Sequence, residues 1–289
     1  MWNFCKGNFR KVLDKICKIL YNFIRKITLS KILKQKGLKN MNRKLGKNYI
    51  EFSVTGDYAM FSDVITRAGG EHTSYEVPTY EALKGITQSI YFKPTIIWTI
   101  DKVRVMNRIK TVRKGVRPIS YGGGNDLAYY SYLADVHYQV MAHFDWNYNR
   151  PELEQDRNLN KHSCIARRMV ERGGRRDCFL GTRECQCIVE PCAFGEGEGY
   201  YDNSGEIGFE MSYYGMIYAD EAEYPEDKGK MTVTFHENVM KDGVIEFIPP
   251  KDCTVKRHIK DMPIKPFGRE HNNFTGLEEF EEGEFDELG

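Results

Sequence analysis

The sequence predicts an α+β fold: a ferredoxin-like domain followed by a smaller antiparallel β subdomain. Two observations support this. Hydrophobic periodicity changes along the chain in the order strand, helix, strand, strand, helix, strand, which is the split βαβ arrangement. From about residue 195 onward the strand-like segments are short and rich in glycine, which predicts a separate β unit.

The first three elements are a strand, a helix and a strand. Residues 49–56 have the pattern of a strand. Residues 79–91 predict a helix, because Thr79 is a suitable N-cap and Pro94 a stop signal. Residues 95–106 are rich in Ile, Val and Trp, which favours a second strand.

The next three elements are a strand, a helix and a strand. Residues 136–146 alternate between apolar and polar side chains, as expected for a strand with one buried face. Residues 161–172 predict a helix that the Gly173-Gly174 pair ends. Residues 183–190 predict the last strand of this domain.

Charge is distributed unevenly over the 289 residues. The chain carries 42 basic and 41 acidic residues, but residues 1–47 hold fourteen Lys or Arg and one acid, Asp14. The remainder therefore has 28 basic against 40 acidic residues, a net charge of −12. This excludes a general electrostatic attraction of the main body to nucleic acid or membrane, so any polyanion site must be a local patch.

Composition and motifs predict four segments and exclude several classes. The segments are a basic N-terminal extension (1–47), the ferredoxin-like domain (48–194), the small β subdomain (195–270) and an acidic disordered tail (271–289). Residues 1–40 fit either a membrane-surface or RNA-contacting helix, or a stretch that is not native, with the true start at Met41. The absence of a signal peptide and of a long apolar run predicts a cytoplasmic protein with reduced cysteines.

The sequence does not predict a metal or any other cofactor. Cys185 and Cys187 flank a single residue, and no Cys-x-x-Cys pair is present, so the spacing argues against zinc. The glycine runs lack the features of a phosphate-binding loop or a dinucleotide fingerprint.

Two basic segments indicate a local RNA surface. Residues 102–117 contain seven Lys or Arg and no acid, and residues 157–176 contain seven with a single acid, Glu171. Tyrosines follow the first segment and are candidates for stacking on unpaired bases: Tyr121, Tyr129, Tyr130 and Tyr132. The alternative is a solvated hairpin with ordinary surface lysines.

Three residues are candidates for catalysis. Tyr91 lies beside the apolar stripe of its helix, which leaves open both a functional and a half-buried structural role. Lys161 and His162 open the second predicted helix, where the positive end of the helix dipole favours a neutral imidazole, the form that a general base requires. The alternative for His162 is a packed residue, because it continues the stripe of Ile165 and Met169.

Several long motifs are similar to those of a known family. They are TGDYAMFSD (55–63), GGEHTSYEVPTYEALKGI (69–86), SIYFKPTIIW (89–98), KGVRPISYGGGNDLAYYSYLADVHYQV (114–140), DRNLNKHSCI (156–165) and GGRRDCFLGTRECQC (173–187). From about Asn48 to Pro266 the chain resembles the Cas endoribonuclease of CRISPR subtype I-C (Dvulg), the fifth-named CRISPR-associated subunit and a member of the RAMP superfamily. The resemblance leaves out residues 1–40 and the acidic tail.

The resemblance implies an RNA-cutting function without metal. Family members cut the CRISPR repeat RNA and stay on the 5′ handle of the crRNA within the Cascade effector, beside its other subunits. The family's catalytic tyrosine matches Tyr91, and its Lys-His pair matches Lys161 and His162. Asn160 stands where the family often has Gly, which puts the local backbone geometry in doubt.

These assignments imply a reaction in which the RNA supplies its own 2′-OH as nucleophile. His162 is expected to act as base with Tyr91 as a partner in proton transfer, and Lys161 to stabilise the phosphorane. The products expected are a 2′,3′-cyclic phosphate and a 5′-OH. The basic side chains expected to hold the RNA are Lys84, Arg104, Arg108, Lys114, Arg117, Arg168, Arg175, Arg176 and Arg183. The alternative function is a non-catalytic subunit that binds the crRNA handle.

Overall fold

The structure, a computed structural model, describes residues 48–118, 122–124 and 127–264. In these ranges it contains three α-helices: α1 (Val64–Ala68), α2 (Tyr80–Ile90) and α3 (Leu159–Arg172). The strands of the same ranges are β1 (Tyr49–Ala59), β2 (His72–Thr73), β3 (Ile96–Val105), β4 (Thr111–Val116), β5 (Ala128–Trp146), β6 (Cys178–Phe179), β7 (Gln186–Pro191), β8 (Glu206–Ile217), β9 (Lys230–Lys241), β10 (Val244–Glu246) and β11 (Val255–Asp261).

The strands join in one mixed sheet in which neighbouring strands are antiparallel, apart from β2 beside β5. The main path is β11-β9-β10-β3-β5-β1-β7-β6, while β2 and β4 pair with β5 and β8 pairs with β9. The centre of this path is the order β3-β5-β1-β7, and α2 and α3 lie in the connections that precede β3 and β7. The fold is therefore a mixed α/β arrangement on an antiparallel sheet.

One face of the central strands forms the core. Phe52 of β1 lies opposite Val140 of β5, which lies opposite Val103 of β3, and all three side chains are inaccessible to solvent. The helices pack on this face, where α2 contributes Leu83 and α3 contributes Ala166. Burying a large aliphatic or aromatic side chain stabilises the fold by about 1.5–3 kcal/mol, so this face fixes the position of both helices.

Local signals set the ends of the two helices that carry the candidate site. Thr79 caps α2 by accepting a hydrogen bond from the amide of Ala82, and Tyr91 is the residue that follows its last turn. Asn158 caps α3 by accepting from the amide of Lys161, and Gly173 ends α3 with φ at 88°. The capping residues thus place Tyr91 at the end of one helix and Lys161 near the start of the other.

Each of the six elements predicted for the first domain is present, but two features differ from the predictions. β5 begins at Ala128 instead of residue 136, because the unpredicted strand β4 pairs with its first residues. β8 and β9 have 12 residues each and are not short. Register shifts near Gly208 and Gly215 interrupt the alternation of β8, which explains why the sequence pattern indicated shorter strands.

Several predictions fall outside the described residues. They concern the basic extension 1–47, the start at Met41, the acidic tail 271–289 and the stacking role of Tyr121. Within the described ranges, none of the helices has both the length and the apolar character needed to cross a membrane.

Candidate active site

Tyr91 and His162 meet although 71 positions separate them in the chain. The hydroxyl oxygen of Tyr91 lies 2.8 Å from Nδ1 of His162, and their ring centroids are 6.0 Å apart. The indole N–H of Trp98 donates to the carbonyl oxygen of Tyr91 at 2.7 Å, which fixes the backbone from which this side chain extends. Two of the three predicted catalytic residues are therefore in direct contact.

His162 is enclosed, with 0% of its surface exposed. The rings of Phe144 and Trp146 pack against it edge-to-face, with centroids 6.2 Å and 5.6 Å from its own. Its Nε2 lies 2.8 Å from the backbone oxygen of Asp156, which only a protonated Nε2 can satisfy. With the Nε2 proton donated to that oxygen, a neutral imidazole presents Nδ1 as an acceptor for the Tyr91 hydroxyl.

Asp156 joins Lys161 and His162 and was not found by the sequence analysis. It ends the 3₁₀ turn Pro151–Asp156, and its carboxylate pairs with the Lys161 ammonium, accepts from the Thr95 hydroxyl at 2.7 Å and lies 3.4 Å from Nε2 of His162. Burial alone would raise the pKa of this carboxyl, but the hydrogen bonds from Lys161 and Thr95 lower it below its usual value. The only sequence signal was its place at the start of the run DRNLNKHSCI.

The hydroxyl of Tyr91 stays protonated over the physiological range. Burial, followed by the negative charge of Asp156, raises the pKa of Tyr91 to about 12, while the positive charge of Arg175 acts in the opposite direction. A phenol hydroxyl hydrogen-bonded to an imidazole nitrogen forms a pair along which a proton can move.

A loop of two arginines borders this corner. The amides of Arg175 and Arg176 donate to the carbonyl of Ser89, and that of Arg175 also approaches the carbonyl of Ile90, at 3.1–3.2 Å. The loop after α3 is thereby attached to the last turn of α2, immediately before Tyr91. Both arginine side chains are exposed, as is that of Arg168 on α3. These three predicted RNA contacts are therefore accessible, and Arg175 lies close enough to Tyr91 to act on its pKa.

Lys84 and Arg104 were predicted to contact RNA, but both side chains are buried and cannot reach it. Lys84 is 3% exposed and forms an ion pair with Glu221, which covers the polar side of α2. Arg104 is 6% exposed and binds the carboxylate of Asp202 at 2.7 Å. Their charges are satisfied inside the protein, so we assign them structural roles.

The remaining predicted RNA-contacting side chains reach the surface, most of them beside aromatic rings. Lys114 has its ammonium 3.2 Å from the ring centroid of Tyr58, and the guanidinium of Arg183 is 5.9 Å from that of Phe179. Arg108 lies 6.0 Å from the ring of Tyr200, and Arg117 is exposed. Three of these four basic side chains therefore lie beside an aromatic ring.

Of the tyrosines predicted to stack on bases, one has an exposed ring and two have rings that contact other parts of the protein. Tyr129 is exposed, whereas Tyr130 is stacked on His72 with centroids 4.2 Å apart and Tyr132 is buried. In the described part of the chain, no group of three or more His, Cys, Asp or Glu is placed to hold a metal ion.

Comparison with known proteins gives concordant results. A family model described as "CRISPR-associated protein (Cas_Cas5)" matches residues 49–248. The chain is 39% identical over 69 residues to the "CRISPR pre-crRNA endoribonuclease Cas5d" of Mannheimia succiniciproducens, a match that spans 23% of this chain and 30% of that relative.

Two solved structures are similar over most of their length. A functionally uncharacterized protein of Streptococcus mutans, SMU1763c, is 36% identical with a TM-score of 0.60, and a structure described as a CRISPR-associated protein is 33% identical with a TM-score of 0.61. Each alignment covers 72% of this chain and 96% of the other.

Proposed function

The chain belongs to the CRISPR-associated Cas5 family, in its subtype I-C form, and on this basis we propose that it cuts CRISPR repeat precursor RNA. We further propose that it does so without a metal ion and that it stays bound to the 5′ handle of the product within the Cascade effector, in contact with other subunits. The order β3-β5-β1-β7, with α2 and α3 packed on one face, supports the assignment of its central unit as ferredoxin-like.

The observation that carries the proposal is the contact between Tyr91 and His162 with Lys161 next in sequence. Groups from two helices that are distant in the chain meet at a corner bordered by exposed arginines. A phenol, an imidazole and an ammonium can supply the proton transfer and the charge stabilisation that an RNA transesterification without metal needs.

The proton of the ribose 2′-OH is transferred through the Tyr91 hydroxyl. As the 2′-oxygen attacks phosphorus, Tyr91 takes the 2′ proton and passes its own proton to Nδ1 of His162. Because His162 is 0% exposed and Tyr91 is 3% exposed, this relay places the base behind the phenol, and bound RNA must displace the side chains that cover the Tyr91 hydroxyl. The P–O5′ bond then breaks and O5′ takes up a proton from solvent water, while His162 returns the proton it accepted to the solvent, so that a 2′,3′-cyclic phosphate and a 5′-OH remain.

Lys161 supplies positive charge for the phosphorane. Its side chain is about half exposed, and the carboxylate of Asp156 holds the ammonium beside the start of α3. A preorganised charge of this kind is worth roughly 10²–10³-fold in rate. Asp156 also holds Nε2 of His162, so it positions both groups.

The chemistry is tested with repeat RNA that carries a single 2′-deoxy ribose at the cut site. This RNA is expected to bind normally and to remain intact, because it lacks the nucleophile. Unmodified repeat RNA incubated with EDTA is the matched control and is expected to be cut. Cleavage of the deoxy substrate at the normal position would contradict the mechanism.

The second candidate function is a non-catalytic subunit that binds the crRNA handle. One observation favours it, namely the complete enclosure of His162, whose ring nitrogens are both engaged in hydrogen bonds. In that case pure protein would bind repeat RNA and give no product in the presence or absence of EDTA.

A further inference from the structure

A cleft of about 460 Å³ runs along the exposed side of α2 and takes no part in the proposed chemistry. The end of β1, the loop after β6 and β8 form its other walls. The side chains that matter for its shape and chemistry are Ala82, Gly85, Ser89, Phe179, Thr182 and Tyr213. We refer to it as the α2 cleft.

The wall opposite α2 is rigid. Gly181 has φ at +91°, and a Cβ at this position would lie 1.9 Å from the carbonyl oxygen of Met60, so only glycine fits. The amide of Met60 donates to the carbonyl of Leu180 at 2.9 Å, and the amide of Leu180 donates to Cys185 at 2.8 Å. The loop is therefore fixed against β1, and the cleft is formed before any ligand arrives.

Gly85 keeps the cleft open from the α2 side. It lies in the middle of the helix, where glycine weakens the helix relative to alanine. No atom lies within 4 Å of the position that a Cβ would occupy, so packing does not require glycine there. Glycine therefore lowers the stability of α2 without improving the packing of the core. What it does is leave space in the cleft.

The cleft adjoins the loop of Arg175 and Arg176, and its lining contains one charged side chain, Glu81, whose carboxylate accepts from the amide of Met216. Ser89, at its end, accepts hydrogen bonds from the amides of Arg175 and Arg176, the loop that borders Tyr91. Phe179, in its wall, carries the guanidinium of Arg183 at 5.9 Å. A largely apolar cleft with an aromatic ring in its wall, and with arginines on the neighbouring segments, matches a nucleobase whose flanking phosphates lie outside the cleft.

We propose that the α2 cleft holds one unpaired nucleobase of the repeat RNA, close to the scissile linkage. This rests on the proposed function, since the RNA is the occupant. The base lies against Phe179 and the backbone at Gly85, while the hydroxyls of Ser89 and Thr182 reach its edge. Arg175, Arg176 and Arg183 contact the adjoining phosphates.

The test is an abasic scan of the RNA with two variants of α2. Cleavage-resistant repeat RNA with a 2′-deoxy cut site receives an abasic ribose at each unpaired position near the cut, and its Kd is measured. For the wild-type protein one position is expected to weaken binding by roughly 5- to 150-fold, the value of one stacked base. Gly85→Leu, which fills the cleft, is expected to weaken binding of the intact RNA to the same degree and to abolish the sensitivity at that position.

Gln88→Leu is the matched control, because it adds the same side chain to the same helix outside the cleft. It is expected to bind all RNAs like the wild type. Leucine is a better helix former than glycine, so Gly85→Leu should melt no lower than the wild type. Uniform sensitivity across the scan, or unchanged binding by Gly85→Leu, would overturn the inference while leaving cleavage intact. If instead the proposed function is wrong, the wild-type protein itself will neither bind nor cut repeat RNA, so the two failures can be told apart.

Discussion

At the scale of single residues, the site depends on one hydrogen bond between a phenol and an imidazole. The bond from Tyr91 to His162 is 2.8 Å long and lies in a place from which water is largely excluded, since Tyr91 is 3% exposed. In such surroundings a proton can be exchanged between the two groups without competition from solvent.

Tyr91→Phe removes the hydroxyl and retains the ring, so the packing of the core is preserved. We expect the single-turnover rate of repeat RNA cleavage to fall by about 10²–10⁴-fold, which is the usual contribution of a general acid–base group. The affinity for uncleaved RNA should remain within a few-fold of the wild type. An unchanged rate would show that the proton does not pass through Tyr91.

His143 gives a prediction for the dependence of stability on pH. It lies between the carboxylates of Asp101 and Asp145, at 2.9 Å and 3.2 Å, and next to the ring of Tyr49. Burial lowers its pKa, but the hydrogen bonds that the imidazole donates to the two carboxylates outweigh this and raise the pKa to about 9.

Because the folded pKa of His143 lies above the unfolded value, the charged imidazole stabilises the fold fully below about pH 6.5. That stabilisation is lost as the pH rises through about 9. Urea unfolding at pH 6, 7, 8 and 9 should show a decreasing free energy of unfolding, and His143→Gln should flatten the decrease. A parallel decrease in the variant would assign it to other groups.

The sequence identified some residues of the site and misplaced others for physical reasons. Tyr91, Lys161 and His162 belong to distinctive runs and were predicted to be catalytic; the structure brings Tyr91 into contact with His162, and the catalytic roles stay predictions. Asp156 was missed because its role depends on a 3₁₀ turn that brings its carboxylate back to Lys161, and no periodicity signals such a turn. The interior ion pair of Lys84 could not be read from its helix, because Glu221 is distant in the sequence.

At the scale of secondary-structure elements, α2 is held by a buried ion pair as well as by its apolar face. Lys84 is surrounded by Glu221, Glu81 and Tyr80; although burial opposes its charge, these neighbours raise the pKa of Lys84 above its usual value. The helix is therefore fastened to the segment after β8 on its polar side and to the sheet on its apolar side.

Lys84→Ala is expected to destabilise the protein by about 3–5 kcal/mol, because it leaves the carboxylate of Glu221 buried without a partner. Chemical denaturation measures the change. The double variant Lys84→Met with Glu221→Leu should recover most of the loss, since neither charge remains. RNA affinity measured on the folded fraction of Lys84→Ala should match that of the wild type. A lower affinity would show that Lys84 contacts RNA after all.

The elements also show which parts of the fold periodicity can predict. The six elements of the first domain have regular alternation or helical stripes and were all found. The ladder between β8 and β9 contains register shifts near the glycines of β8, and β4 alternates between exposed residues and a half-buried face of Val112, Lys114 and Val116. In these strands the irregular pairing and the lysine on the inner face obscure the alternation that a local pattern would show.

At the scale of the whole molecule, the distribution of charge determines where RNA can be attracted to the surface. Residues beyond position 47 carry a net charge of −12, yet exposed arginines collect around the corner formed by Tyr91. Seven of those negative charges lie in residues 271–289, so residues 48–270 carry a net charge of only −5, and the exposed arginines form a local positive patch on a weakly acidic protein.

The double variant Arg175→Ala and Arg176→Ala tests this patch. We expect RNA binding to weaken for all sequences alike, and the slope of log K against log salt to become less steep by about one to two units. Fluorescence anisotropy at 50–300 mM salt measures both. Glu171→Ala, an exposed acidic residue on α3, is the control and should leave the slope unchanged or make it steeper. An unaltered slope in the arginine variant would place the phosphates elsewhere.

The long strand β5 has a consequence for how the protein is made. During synthesis β1 leaves the ribosome well before β5, and its other neighbour, β7, emerges later still. β3 likewise pairs with β10, which is synthesised much later because it lies near the end of the described chain. The apolar centre of the sheet is therefore exposed on the nascent chain until most of the polypeptide has emerged, and maturation is slow compared with that of helical proteins of similar size.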